Sequence, residues 1–303
     1  MDGFMSLLTR EERVSFALRA RYLSRGFSPY RMGKFEEYDL YAKNKDFLLS
    51  PQVITFTDTD GKLLALKPDV TLSIAKNFDA GVEKQKLFYS ENVYRPTQAG
   101  GFREILQSGI ECMGNVGQRE CEEVLLLACE CLSDVSPDFV LSVSDLDLLE
   151  SLFSKMGINE EASEELSVLV RAKNAAEAAR FCRALGVEER LVTALCTLIT
   201  KSAPLSEVLI DLPEGVEASE ALLGLAEAVR GTEYAARVRF DLSVLPNRRF
   251  YNGVVFAGYL AGAANAVLAG GRYDKLMRRL KKTGGAIGFA VYLNHLPKEK
   301  VNE

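Results

Sequence analysis

The apolar residues of this 303-residue chain change rhythm twice, and that change limits the fold more than any other feature. Up to about residue 145, and again from residue 236, short runs rich in Val, Ile, Phe, Tyr and Thr lie between turn signals, which is the texture of strands. From 145 to about 234 the chain is rich in Leu, Ala, Glu and Arg at 3.6-residue spacing, the texture of four or five helices. Strands on both sides of a helical run imply an α+β protein: an antiparallel sheet flanked by helices, interrupted by a helical insert. The expected division is 1–156 and 235–303 for two parts of one core, with 157–234 as the insert.

Local signals fill in this frame. Leu7, Leu8, Val14, Leu18 and Leu23 predict an amphipathic helix over 5–25, ended by Gly26-Phe27. Asp60-Gly61 hinges a hairpin over 52–66. Pro68-Asp69-Val70-Thr71 opens a helix through about Phe78. Strands are expected at 86–95 and 103–112 around a polar loop, Gln98-Ala99-Gly100-Gly101, then a helix over 118–132 and a strand over 138–144. Strand texture returns at Ala236–Leu242 and at Val254-Val255-Phe256.

Composition excludes several kinds of chemistry. There is one histidine, His295, so multi-histidine zinc and iron sites are out, and imidazole acid–base work rests on that residue alone. Six cysteines contain no C-x-x-C pair and suit reduced, mostly buried thiols. The net charge of −5 advertises neither a nucleic-acid nor a membrane binder. No signal peptide is visible at the start, and a cytoplasmic protein is expected. Residues 253–271 carry no charge over 19 positions, yet Gly, Ala and Asn265 there suit a buried strand leading into a small-residue hairpin better than a membrane span.

The candidate site residues each carry a plain structural reading too. Asp69 and Thr71, at a hairpin-to-helix junction, can grip a ligand ammonium or merely cap the helix. Gln107, Gly109 and Glu111 share one strand face, either turned inward toward a small polar ligand or outward to solvent. Arg95 and Arg103 flank a loop and suit either an anion clamp or surface charge. The cluster Lys275, Arg278, Arg279, Lys281 and Lys282 can contact phosphates or, the favoured reading, form a solvated face. Gly270-Gly271 and Gly284-Gly285 match no phosphate-loop pattern.

In combination these segments resemble the catalytic core of class II aminoacyl-tRNA synthetases, and specifically histidyl-tRNA synthetase. Phe56 to Thr71 resembles that family's strand–turn–strand and amino-acid segment; Leu87 to Gly114, with Asn92-Val93-Tyr94-Arg95 and Phe102-Arg103-Glu104, resembles motif 2. Phe250-Tyr251-Asn252 to Phe256 and Gly270-Gly271-Arg272-Tyr273-Asp274 resemble its histidine-specific segments, and Gly284 to Ala290 resembles motif 3. The resemblance implies that Asp69, Thr71, Gln107, Glu111 and Tyr251, with Arg95 nearby, form a histidine-like pocket.

The departures fall on the arginines that drive adenylation. Pro246 stands where the synthetase has a substrate-contacting Arg, and His295 where motif 3 ends in an ATP-stacking Arg. Gly33 replaces the motif 1 Pro, the motif 2 loop is short around Pro96-Thr97-Gln98, and the anticodon-binding domain of the synthetase is not found. A retained core with both arginines lost resembles the regulatory-subunit branch associated with ATP phosphoribosyltransferase. That resemblance implies no catalytic residue, metal or cofactor, and a short-form catalytic subunit as partner. It also implies a homodimer within a hetero-oligomer, and histidine as a feedback ligand. A truncated histidyl-tRNA synthetase-like amino-acid-activating enzyme is the alternative.

Overall fold

The structure, a computed structural model, describes residues 7–48, 52–79, 81–97, 100–208 and 212–297. The chain begins with helix α1 (Arg10–Ser24), strands β1 (Ser28–Pro29) and β2 (Phe35–Glu37), and helix α2 (Tyr38–Ala42). Hairpin strands β3 (Thr55–Thr57) and β4 (Leu63–Leu66) lead into α3 (Thr71–Lys76). The long strands β5 (Lys84–Pro96) and β6 (Phe102–Gly114) precede α4 (Gln118–Val135) and β7 (Phe139–Asp145). The helical run holds α5 (Leu146–Lys155), α6 (Glu160–Arg171), α7 (Ala175–Ala184), α8 (Glu189–Thr200), the short strand β8 (Ala203–Pro204), α9 (Leu205–Val208) and α10 (Glu220–Val229). Strands β9 (Val238–Phe240), β10 (Val254–Leu260) and β11 (Leu268–Arg272), helix α11 (Asp274–Arg279) and β12 (Gly285–Tyr292) follow.

Among the described residues, nine strands form one sheet in the order β1-β5-β6-β12-β11-β10-β7-β9-β8, while β2, β4 and β3 form a separate three-stranded sheet. The large sheet is antiparallel at six of its eight pairings, the β8–β9 edge included, and departs from the expected antiparallel sheet only at the parallel pairs β1–β5 and β7–β9. The reason is connectivity. Parallel neighbours need a long crossover, and the helices α5–α10 are the crossover that returns the chain from β7 to β9.

The helical run therefore packs on the sheet instead of standing apart from it. Leu166, Val170, Cys182 and Leu195 share one buried cluster with Ile110, Val143 and Phe256. Asp145 joins the two ends of the run: it accepts from the Asp147 amide to cap α5, and from the hydroxyl of Ser219, which itself caps α10. A second cluster, around Ile74, Tyr89, Phe250 and Tyr273, lies on the other face of β5 and β6.

Other local expectations are adjusted. Helix α1 starts at Arg10, not at residue 5, because Thr9 and Glu12 form a reciprocal capping box there; residues 5 and 6 lie outside the described residues. Leu23 is 57% exposed despite its helical spacing. The Gln98-Ala99 part of the motif 2-like loop also lies outside the described residues. The uncharged run 253–271 forms most of β10 and β11, and no described helix is long and apolar enough to cross a membrane. The six cysteines are free thiols, five buried and Cys196 half-buried. In the basic cluster, Lys275 reaches Glu150 at 3.4 Å and Lys282 donates to the Phe78 carbonyl at 2.9 Å, whereas Arg278 is exposed.

Candidate functional site

All six sequence-selected residues, Asp69, Thr71, Arg95, Gln107, Glu111 and Tyr251, meet in the wall of one cavity of about 130 Å³. The strand period explains two of the six. Gln107 and Glu111 stand four residues apart, hence on the same face of β6, and that face turns inward: each residue is 2% exposed. The alternative of a solvent-facing strand is therefore wrong. The start of α3 brings Asp69 and Thr71 to the same cavity, and the end of β5 brings Arg95.

Glu111 is the centre of the polar network. Its carboxyl accepts hydrogen bonds from the Thr71 hydroxyl at 2.6 Å and the Tyr273 hydroxyl at 2.5 Å. Burial pushes this group up to about 8; the two hydroxyl donors oppose the rise and the charge of Asp69 adds to it. Room for the carboxyl comes from Gly288, its partner across β12, since a side chain there would overlap it. Gly109 makes room in the same way for the Tyr89 phenol.

Asp69 caps a helix from within the cavity wall. Its carboxylate accepts from the Leu72 amide at 2.8 Å, capping α3, and it also faces the cavity. Burial raises its pKa, with Arg95, 3.9 Å away, pulling the other way. Thr71 gives its hydroxyl to Glu111 instead of capping the helix. Arg95 is fixed by donating from Nε to the Pro68 carbonyl at 2.9 Å. Burial raises the Tyr251 phenol well above its usual range, so it stays a neutral donor.

Arg95 and Arg103 are direct cross-strand partners, and both line a second cleft of about 700 Å³ beside the first cavity. His295 lies in that cleft. Its Nδ1 donates to the Ala266 carbonyl at 2.8 Å, and its ring centre sits 5.2 Å from that of Tyr292. Pro246 lines the first cavity. Tyr273, Tyr89 and Gly288 also line the cavity beyond the sequence-selected six, and Tyr273 and Gly288 fall in segments the sequence singles out.

Two carboxyls, one guanidinium and several phenols in so small a space suit a zwitterion that carries an additional donor group. The volume is well below the roughly 300–1,000 Å³ of sites for drug-sized ligands.

A mainly antiparallel sheet with this polar cavity between a long hairpin and its closing strand defines a class II aminoacyl-tRNA synthetase-like core. The histidyl-tRNA synthetase family model matches residues 6–296, and the chain belongs to that family. Within it, the chain is 27% identical to the ATP phosphoribosyltransferase regulatory subunit of Bacillus thuringiensis (strain Al Hakam), over 98% of this chain and 74% of the relative. Its fold is similar to a solved ATP phosphoribosyltransferase regulatory subunit/histidyl-tRNA synthetase from Bacillus halodurans. That match has a TM-score of 0.82 and 23% identity, and covers 95% of this chain and 78% of the other. The ATP phosphoribosyl transferase (HisG:HisZ) complex from Thermotoga maritima contains a chain of similar fold, with a TM-score of 0.72 and 21% identity, covering 93% and 97% of the two chains.

Proposed function

We propose that this chain is a non-catalytic regulatory subunit of ATP phosphoribosyltransferase. It activates a short catalytic subunit in the first step of histidine biosynthesis and carries part of the feedback inhibition by histidine. The carrying observation is the contrast within one cavity wall: a complete amino-acid-like polar set stands beside Pro246. Proline supplies neither charge nor a side-chain donor where the resembled synthetase has its substrate-contacting Arg. At His295, a ring bonded to a backbone carbonyl replaces a permanent guanidinium charge.

The charges of the cavity suit histidine. Arg95 complements a ligand carboxylate, Asp69 an ammonium, and Glu111 with Tyr273 an imidazole N–H. Feedback follows if the ligand binds two states of a cytoplasmic hetero-oligomer with different affinity. In this reading the chain pairs with itself inside that assembly and uses no cofactor or metal.

Reconstitution with a short-form catalytic subunit tests the proposal. Phosphoribosyl-ATP is expected to form only in the mixture and to be suppressed by histidine; no stimulation by this chain would falsify the reading. Glu111→Ala or Tyr251→Ala is expected to weaken the inhibition while the assembly stays intact. Unchanged inhibition in both variants would put the histidine site elsewhere. Histidine-dependent ATP–pyrophosphate exchange by the chain alone would instead favour the amino-acid-activating alternative.

A further inference from the structure

A third opening, of about 530 Å³, lies where the helical run meets the loop before Phe250. Lys45, Arg171, Arg248 and Arg249 line it, against only two carboxylates, Asp46 and Glu164. Four cations gathered in one cleft stand out on a chain whose net charge is −5.

Carboxylates pair only Arg248 and Arg249 of the four cations among the described residues. Arg249 approaches Asp46 at 3.8 Å and Glu164 at 4.0 Å, and all three side chains are more than half exposed, so these pairs are weak and exchangeable. Lys45 and Arg171 have no carboxylate partner among the described residues. Arg248 is the anchored member. Its guanidinium lies 5.5 Å from the Phe153 ring centre, donates from Nη1 to the Ser167 hydroxyl at 3.1 Å and pairs with the partly exposed Glu150, just outside the cleft, at 3.6 Å. Its Nε–H is buried without a hydrogen-bond partner. A buried donor left unpaired costs free energy that an incoming acceptor recovers.

The geometry points to a binding site for a small phosphorylated anion of the diphosphate class, held by Arg171, Arg248, Arg249 and Lys45. Guanidinium groups match phosphate oxygens in bidentate geometry, and several cations around one cleft suit a ligand with more than one negative charge. The cleft is separate from the amino-acid cavity but shares Leu48, Pro246 and Asn247 with its wall. This assignment stands on its own charges and does not depend on the regulatory-subunit reading.

Titration of the full chain with inorganic pyrophosphate, followed by calorimetry, tests the site. Saturable binding that weakens with added salt is expected, with orthophosphate binding less tightly. The double variant Arg248→Gln/Arg249→Gln is expected to lose about tenfold in affinity or more, since charge-assisted hydrogen bonds are removed. Glu164→Gln is expected to bind more tightly, because it removes a competing carboxylate at an exposed position where folding is not at stake. Absence of saturable binding at millimolar pyrophosphate overturns the site. So does binding that neither variant alters.

Discussion

Replacing Gly288 with alanine is expected to lower the melting temperature by about 2–5 °C, which follows from an overpacking cost of roughly 1–3 kcal/mol in a chain of this length. Gly288 sits inside β12, opposite Glu111 of β6 on one side and Gly271 of β11 on the other. An added Cβ would overlap the Ile110 carbonyl oxygen and the Glu111 carboxyl. The carboxyl can swing aside only by leaving Thr71 and Tyr273, which strands buried polar groups. The carbonyl has less freedom still, because paired strands hold it from both sides. Thermal denaturation followed by circular dichroism reads the effect. A melting temperature unchanged within error would mean that β12 and β6 do not meet in the register described.

How much of this was legible in the sequence depended on the range of the information. The hairpin of β5 and β6 was read nearly to its ends, because two long runs with a period of two joined by a Gly-containing loop specify each other locally. The inward turn of Glu111 was not. Period two puts Gln107 and Glu111 together, but which face meets the core depends on Tyr273 and Gly288, far along the chain. The resemblance to synthetase motifs, not spacing, brought Tyr251 to the same cavity as Asp69.

The parallel pairing of β7 with β9 was hidden for a similar reason. β9 has three residues, too few to show a pattern, and its partner is chosen by how the intervening helices pack. The start of α1 is different: Thr9 and Glu12 spell a capping box in plain view, and that box outweighs the apolar spacing of Leu7 and Leu8, which predicts an earlier start. Asp69 shows that helix capping does not exclude a place in the cavity, since one carboxylate caps α3 and lines the cavity at once.

The chain is expected to lose stability as pH rises from about 4.5 to about 8, and Glu111→Gln is expected to flatten much of that decline. Folded Glu111 keeps its proton up to about 8, whereas an exposed glutamate in the unfolded chain releases it near 4.5. Through that window the folded chain holds the extra proton, so rising pH favours the unfolded state by up to about 1.4 kcal/mol per pH unit. The contribution is fully present below the lower value and lost above the upper one. Glutamine resembles the protonated side chain in shape and charge but does not ionise. The stability difference between variant and parent should therefore grow with pH, reach several kcal/mol by about pH 8 and then level off. Asp69, whose pKa burial also raises, adds a background slope of the same sign to both proteins. Urea denaturation at a series of pH values measures the difference directly. If the two curves run parallel from pH 5 to pH 9, which brackets about three units of the predicted change, Glu111 ionises normally and the closed network around it is wrong. The same proton also reports on the ligand. A cationic group bound beside Glu111 favours its carboxylate, so binding at neutral pH should release a proton, seen as a binding heat that depends on the ionisation enthalpy of the buffer. In Glu111→Gln, binding should weaken and that dependence should disappear, because the group that gave up the proton is gone.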